Sequence, residues 1–292
     1  GALLAAAFGF VDDKWQIRAR WQFLFQLVLA GFAIALSLRI VAISNPFDFL
    51  AAVENETLTF AGVAAGVVTA FWILGMINSI NFIDGLDGLS VGVTVIAVLT
   101  LGFVSLGWAD SSYQPMVALL CALLAGALLG YLPWNFNPAR VFVGTTGVMV
   151  MGYLIAVLAI LGSAKIAAAL LILGVPIIDT FWIITRRLLN RRSPFTPDRG
   201  HFHHRLLDLG LSHKGVVVLI YTITATLAVV SLLLAGGSGP LYAFMAIVVA
   251  SGLALLLLTF QIGRDEALEA ATYEDPEGRP IPSEADDKAA GA

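Results

Sequence analysis

Four groups of polar residues interrupt an otherwise apolar chain: Asp12-Asp13; Asn78, Asn81, Asp84 and Asp87; Asn135 to Thr146; and His201, His203, His204 and Arg205. Their side chains suit phosphate, nucleobase and metal chemistry. Adjacent carboxylates such as Asp12 and Asp13 repel each other unless a cation relieves them, which suits metal binding or removal of a proton from an incoming phosphate. A solvated loop is the equally simple alternative. In the second group the Asn and Asp residues recur every three positions, so successive members neighbour one another on a helical surface, and Gly85 and Gly88 let the backbone open or approach a ligand. Such an array can line a polar cavity; a glycine-rich turn with capping side chains is the structural alternative.

The third group runs Pro133-Trp134-Asn135-Phe136-Asn137-Pro138-Ala139-Arg140-Val141-Phe142-Val143-Gly144-Thr145-Thr146-Gly147. Amides can read a nucleobase edge, a ring can stack on it, and N–H groups at a helix start favour phosphate oxygens. A plain interhelical loop with N-capping threonines would look similar. In the fourth group His201, His203 and His204 lie between Arg199 and Arg205. They suit a diphosphate better than zinc, because no cysteine or ordered acidic partner is nearby. Phe202, Leu206 and Leu209 fall at helical spacing before Gly210, which predicts a short interfacial helix.

The elements that must position these groups are membrane spans. Hydrophobic residues make up 59% of the chain and charged ones 12%, with a mean hydropathy of +0.90. Soluble domains carry about 25% charged residues. Apolar runs near 21–43, 60–80, 88–108, 115–133, 147–163, 166–185, 216–236 and 241–262 predict an all-α helix bundle of about eight full spans. Residues 1–11 are apolar but too few to cross, and Gly1 is not an initiator methionine; a partial span with earlier spans missing is expected. Two regions follow: a transmembrane part over 1–263 and an acidic tail over 264–292, where nine acids against three bases and little apolar content predict disorder. Cys121 stands alone, which excludes an internal disulfide.

Basic residues are retained on the cytoplasmic side of membranes. Lys14, Arg18, Arg20, Arg140, the block from Arg186 to Lys214 and the tail fall on one side of the predicted topology, leaving only Arg39 and Lys165 on the other. All four polar groups then lie at the cytoplasmic face of a cell membrane. A transporter would keep its acids near mid-membrane rather than at span ends, and nothing in the chain suggests a nucleic-acid partner.

The strings VDDK, NSINFIDGLDGLS and SPFTPDRGHFHHRLLDLG, in this order and separated by apolar spans, resemble the polyprenyl-phosphate N-acetylhexosamine-1-phosphate transferases. The resemblance implies transfer of a sugar-1-phosphate from a UDP-sugar to a polyprenyl phosphate with Mg²⁺, releasing UMP, for cell-envelope polysaccharide synthesis. The histidine loop is closer to the branch using UDP-N-acetylglucosamine and undecaprenyl phosphate than to the branch using UDP-muramoyl-pentapeptide. By position, the resemblance implies that Asp12 and Asp13 act near the polyprenyl phosphate and that Asp84 and Asp87 line the nucleotide and diphosphate site. Asn78 and Asn81 belong to the same substrate-lining array. Asn135 and Phe142 would hold the uracil, and His201, His203, His204 and Arg205 the sugar diphosphate. The oligomeric state stays open, a homodimer included.

One departure stands out. Where the family has Gly-Asp-x-Gly-Ser, with the aspartate a magnesium ligand, this chain has Gly144-Thr145-Thr146-Gly147-Val148. A neutral hydroxyl replaces the carboxylate. Either Asp84 supplies the metal, or the chain is a degenerate relative that binds without turnover, or the sequence carries altered residues.

Overall fold

The computed structural model describes residues 1–45, 57–107, 113–161, 163–189, 202–235 and 238–250. The described residues are helical apart from one small ribbon. The order is α1 (Ala2–Trp15), α2 (Ala19–Ala35), β1 (Ala42–Ser44), β2 (Thr57–Thr59), α3 (Gly62–Ile83), α4 (Leu89–Gly107), α5 (Gln114–Asn135), α6 (Gly144–Ile160), α7 (Ser163–Ile172), α8 (Gly174–Leu189), α9 (Phe202–Asp208) and α10 (His213–Leu233). The strands pair antiparallel, with Ala42 opposite Thr59 and Ser44 opposite Thr57. Two units divide the chain, Gly1–Phe244 and Met245–Ala292. All the elements above belong to the first.

Four described helices, α3, α4, α5 and α10, are long and apolar enough to cross a membrane, and a fifth crossing results if Ile166–Ile172 and Gly174–Thr185 are taken together. Eight full spans are therefore not what the described residues form. The 166–185 run bends by 77°, at the Gly174-Val175-Pro176 stretch where proline denies the helix a donor. At 17 residues each, α2 and α6 reach only about 25 Å against a hydrocarbon core of roughly 30 Å. The end of α2 comes early because Ser37 takes a φ of 64°, after which the chain enters the ribbon. Residues 251–262 of the last predicted span and the 264–292 tail lie outside the described residues.

Apolar residues lie both inside and outside the bundle. Leu29, Ile73, Met76, Ile77, Ile80, Leu89, Leu101, Met149 and Ile155 are fully buried, and α4 is covered along most of its length. Val63, Val67 and Phe71, four residues apart on one face of α3, are exposed, as are Met116, Leu119 and Leu123 on α5. A water-soluble monomer rarely shows such continuous apolar faces; lipid tails accept them without cost. Some polar side chains inside the bundle pair across its elements. Trp72 Nε1 donates to the Ala156 carbonyl at 3.0 Å, tying α3 to α6. The Ile40 N–H donates to Thr69 Oγ1 at 2.8 Å. The chain is a multi-pass membrane protein of the all-α class.

Candidate active site

Asp12 and Asp13 end α1, and α1 lies against the start of α6 so closely that a Cβ on Gly9 would overlap the Thr146 backbone. That packing delivers both carboxylates to residues more than 130 positions away. Asp13 Oδ1 accepts the Thr145 N–H at 2.7 Å, and Oδ2 accepts both the Thr146 N–H at 3.0 Å and the Thr146 hydroxyl at 2.6 Å. It thereby satisfies donors that every helix leaves unpaired at its N-terminus, and its charge opposes the helix dipole. Gly144 makes the turn into α6 at a φ of 63°, a conformation that favours glycine, and a Cβ there would sit 2.7 Å from Asp13 Oδ2. Burial raises the Asp13 pKa, but the hydrogen bonds from Thr146 and Thr145 outweigh it and hold the group below the usual carboxylate value.

Asp12 is buried. Its Oδ1 accepts from the Ile17 N–H at 3.1 Å and from Gln22 Nε2 at 2.9 Å; Oδ2 accepts from the same amide at 2.9 Å and from the Thr145 hydroxyl at 2.6 Å. Thr145 therefore meets the aspartate pair directly, as a donor.

The second group forms the end of α3 and the turn into α4. Asp84 closes α3 and accepts the Ser90 hydroxyl at 2.5 Å. Burial pushes its pKa up to about 6; the Ser90 bond opposes the shift and the charge of Asp87 adds to it. Asp87 Oδ2 accepts from Asn137 Nδ2 and the Ala139 N–H, both at 3.0 Å. Asn135, buried at the end of α5, accepts the Gly88 N–H on its Oδ1 at 3.1 Å and donates from Nδ2 to the Val141 carbonyl at 3.0 Å. Both ends of its amide are thus engaged in holding the two loops together. Phe142 is 75% exposed, a free ring beside that folded loop.

Asn78 faces α2: its Nδ2 donates to the buried Gln26 Oε1 at 2.7 Å and to the Leu74 carbonyl of its own helix at 2.8 Å. Asn81, one turn on, is exposed. From the fourth group, His203 on α9 is buried, and a Cβ on Gly85 would overlap its ring. Arg205 is exposed on the same short helix. His201 and the side chain of His204 lie outside the described residues.

Contacts therefore link all four groups in series: Asp12-Asp13 to Thr145-Thr146, the Asn135–Ala139 loop to Asp87-Gly88, and Gly85 to His203. Ser90 closes the string NSINFIDGLDGLS, whereas the supporting residues Gln22 and Gln26 carry no motif of their own. Gln22 and Gln26 nevertheless leave a trace, as two amides four residues apart in an apolar helix.

A divalent cation fits one part of this arrangement and not another. Among the described residues no three His, Cys, Asp or Glu side chains group as a ligand set. Around Thr145 the carboxylate oxygens already accept from Ile17, Gln22, Thr145 and Thr146, and a hydroxyl stands where a charged ligand would be needed. Asp84 differs: its anionic form is disfavoured by burial, and a hard cation completed by substrate phosphates commonly needs only one or two carboxylates.

Residues 1–163 match the profile described as glycosyl transferase family 4. The chain is 39% identical over 229 residues to the "Probable undecaprenyl-phosphate N-acetylglucosaminyl 1-phosphate transferase" of Bacillus subtilis, covering 76% of this chain and 61% of that relative. It is 32% identical over 242 residues to the "Decaprenyl-phosphate N-acetylglucosaminephosphotransferase" of Mycolicibacterium smegmatis, covering 75% and 58%. Identity falls to 27% over 233 residues for a "Phospho-N-acetylmuramoyl-pentapeptide-transferase" of Staphylococcus saprophyticus, covering 74% and 68%. The chain spans about three-fifths of the length of the first two relatives.

Proposed function

The chain belongs to glycosyl transferase family 4, and on that premise we propose that it transfers N-acetylglucosamine-1-phosphate from UDP-N-acetylglucosamine to undecaprenyl phosphate, for cell-envelope polysaccharide synthesis. The observation that carries this reading is the contact series joining the aspartate pair, the Asp84–Asp87 turn, the Asn135–Phe142 loop and His203. In the reaction a lipid-phosphate oxygen attacks the β-phosphorus of the donor. The bond from that phosphorus to the bridging oxygen breaks, UMP leaves with the bridging oxygen, and the lipid keeps a diphosphate-linked sugar. Phosphoryl transfer asks the protein mainly for positioning and charge neutralisation.

The chain's own residues divide that work. Asp12 and Asp13 lie near the lipid phosphate, and the low pKa of Asp13 keeps it anionic. Asp84 and Asp87 line the diphosphate site, with Asn78 and Asn81 extending the same array. Phe142 offers its exposed ring to the uracil, while Asn135 holds the loop that carries it. His203 and Arg205, with His201 and His204, take the sugar diphosphate. The family generally uses a divalent metal; here Asp84 would hold Mg²⁺, which when bound supplies positive charge to the diphosphate.

The asymmetry of Lys and Arg supports a cytoplasmic site in a cell membrane, and a homodimer is compatible with it. The lower identity to the pentapeptide transferase favours N-acetylglucosamine as the sugar. A second reading follows from the Thr145–Asp12 hydrogen bond: a chain that binds these substrates without turning them over.

Mass spectrometry of the lipid tests the first reading. Purified chain given UDP-N-acetylglucosamine, undecaprenyl phosphate and Mg²⁺ should convert the lipid to its N-acetylglucosamine diphosphate form. Recovery of unchanged lipid after long incubation would reject it.

A further inference from the structure

Gly88 is the hinge between the Asp84–Asp87 turn and α4. Its φ is 83°, its N–H is taken by Asn135, and its carbonyl accepts the Gly92 N–H at 3.0 Å as the first bond of α4. A second donor reaches that carbonyl from far along the chain: the Tyr221 hydroxyl on α10. Gly92 makes room for it, because a Cβ there would overlap the Tyr221 ring. Phe136 covers Gly88 from another side, with Cδ2 only 3.0 Å from where a Cβ would be.

Because Gly92 already satisfies the Gly88 carbonyl, the phenol is not needed to rescue a buried acceptor. Its effect is positional. The same length of chain also carries His203: α9 ends at Asp208, the chain turns at Gly210, whose φ is 89°, Ser212 caps α10 by accepting the Gly215 N–H at 3.1 Å, and Tyr221 follows within α10. Thus α9 and α10 touch the Asp84–Gly88 turn at both ends, through His203 at Gly85 and through Tyr221 at Gly88.

We propose that Tyr221 is a positioning residue for the transfer reaction, fixing the Asp84–Gly88 turn against α10 so that its carboxylates and His203 keep one spacing. The inference rests on the functional reading above. Its sequence position gives no hint of this role, since Tyr221 sits among Val, Leu, Ile and Thr in an apolar helix.

The test compares the unaltered chain with Tyr221→Phe by three measurements: hydrogen exchange of the Gly88 amide, steady-state kinetics with UDP-N-acetylglucosamine and undecaprenyl phosphate, and thermal unfolding. A small misplacement of reacting groups lowers turnover steeply, so kcat should fall about tenfold while KM changes less than about twofold. The Gly88 amide should exchange about tenfold faster, as a loosened turn opens more often. Gly92→Ala, which displaces the ring but keeps the hydroxyl, should show the same kcat loss. Unchanged exchange in Tyr221→Phe overturns the proposal. So does faster exchange with unchanged kcat, or a lowered melting temperature with normal kcat per folded molecule. If the unaltered chain shows no turnover, the transferase reading fails, and the exchange measurement alone decides whether Tyr221 fixes the turn.

Discussion

Asp84→Asn is expected to remove turnover, with kcat down by about 10³-fold, while the protein becomes more stable at neutral pH. The two effects have one cause. Burial raises the Asp84 pKa from 3.8 to about 6, so ionising the group in the folded protein opposes folding. The favourable contribution is fully present below the unfolded value near 3.8 and is lost as pH rises through about 6. At pH 7 the folded protein therefore carries a penalty of roughly 1–3 kcal/mol that an amide does not have. Asn keeps an acceptor for the Ser90 hydroxyl, so little packing is lost. The stability gained by Asp84→Asn should grow between pH 4 and pH 7, seen as a rise of several degrees in melting temperature. A residue kept at the expense of stability is kept for function. Asp84→Asn with normal kcat, or with a lowered melting temperature at pH 7, would contradict this assignment.

The second large effect is expected from Thr145→Asp. The Thr145 hydroxyl donates to Asp12 Oδ2 at 2.6 Å; a carboxylate there has nothing to donate and meets two neighbouring carboxylates. Without divalent cations the variant should lose about 3 kcal/mol, through the lost bond and the like-charge repulsion. With Mg²⁺ the third carboxylate completes an oxygen-rich site. A cation at 100 times its Kd would return about 2.7 kcal/mol. Thermal unfolding of Thr145→Asp should therefore shift upward with added Mg²⁺, and that of the unaltered chain in the absence of substrates should not. A cation-dependent melting temperature in the unaltered chain would mean that a metal site forms without substrate, and its loss in Asp84→Asn would place that site at Asp84 rather than at the aspartate pair. Activity separates the two functional readings: turnover in the unaltered chain supports transfer with Asp84 as the metal-holding residue, and turnover only in Thr145→Asp supports the binding role.

Residue types and their order at span ends carried most of the site's legibility, because charged and amide groups beside hydrocarbon are few and stand out. Their pairings were not legible. Asp13 capping Thr146 is a contact across 133 residues, made by the close packing of α1 on α6, and no local pattern announces it. That cap also moves the helix start to Gly144, three residues before the apolar run at 147–163 begins. Hydropathy measures apolar length rather than helix length, so the run at 21–43 reads as one span although α2 stops at Ala35 and residues 42–44 join a strand. Asn135 has the type of a base-reading amide, yet its hydrogen bonds to Gly88 and Val141 are visible only in three dimensions.

The most direct measurement is lipid-phosphate-dependent release of UMP by the unaltered chain, with UDP-N-acetylglucosamine and UDP-muramoyl-pentapeptide offered separately. UMP should appear only with the first donor, mole for mole with lipid-linked product, and Asp84→Asn should abolish it. Absence of UMP with either donor, while the nucleotide sugar still binds, would contradict transfer and leave the binding reading in its place.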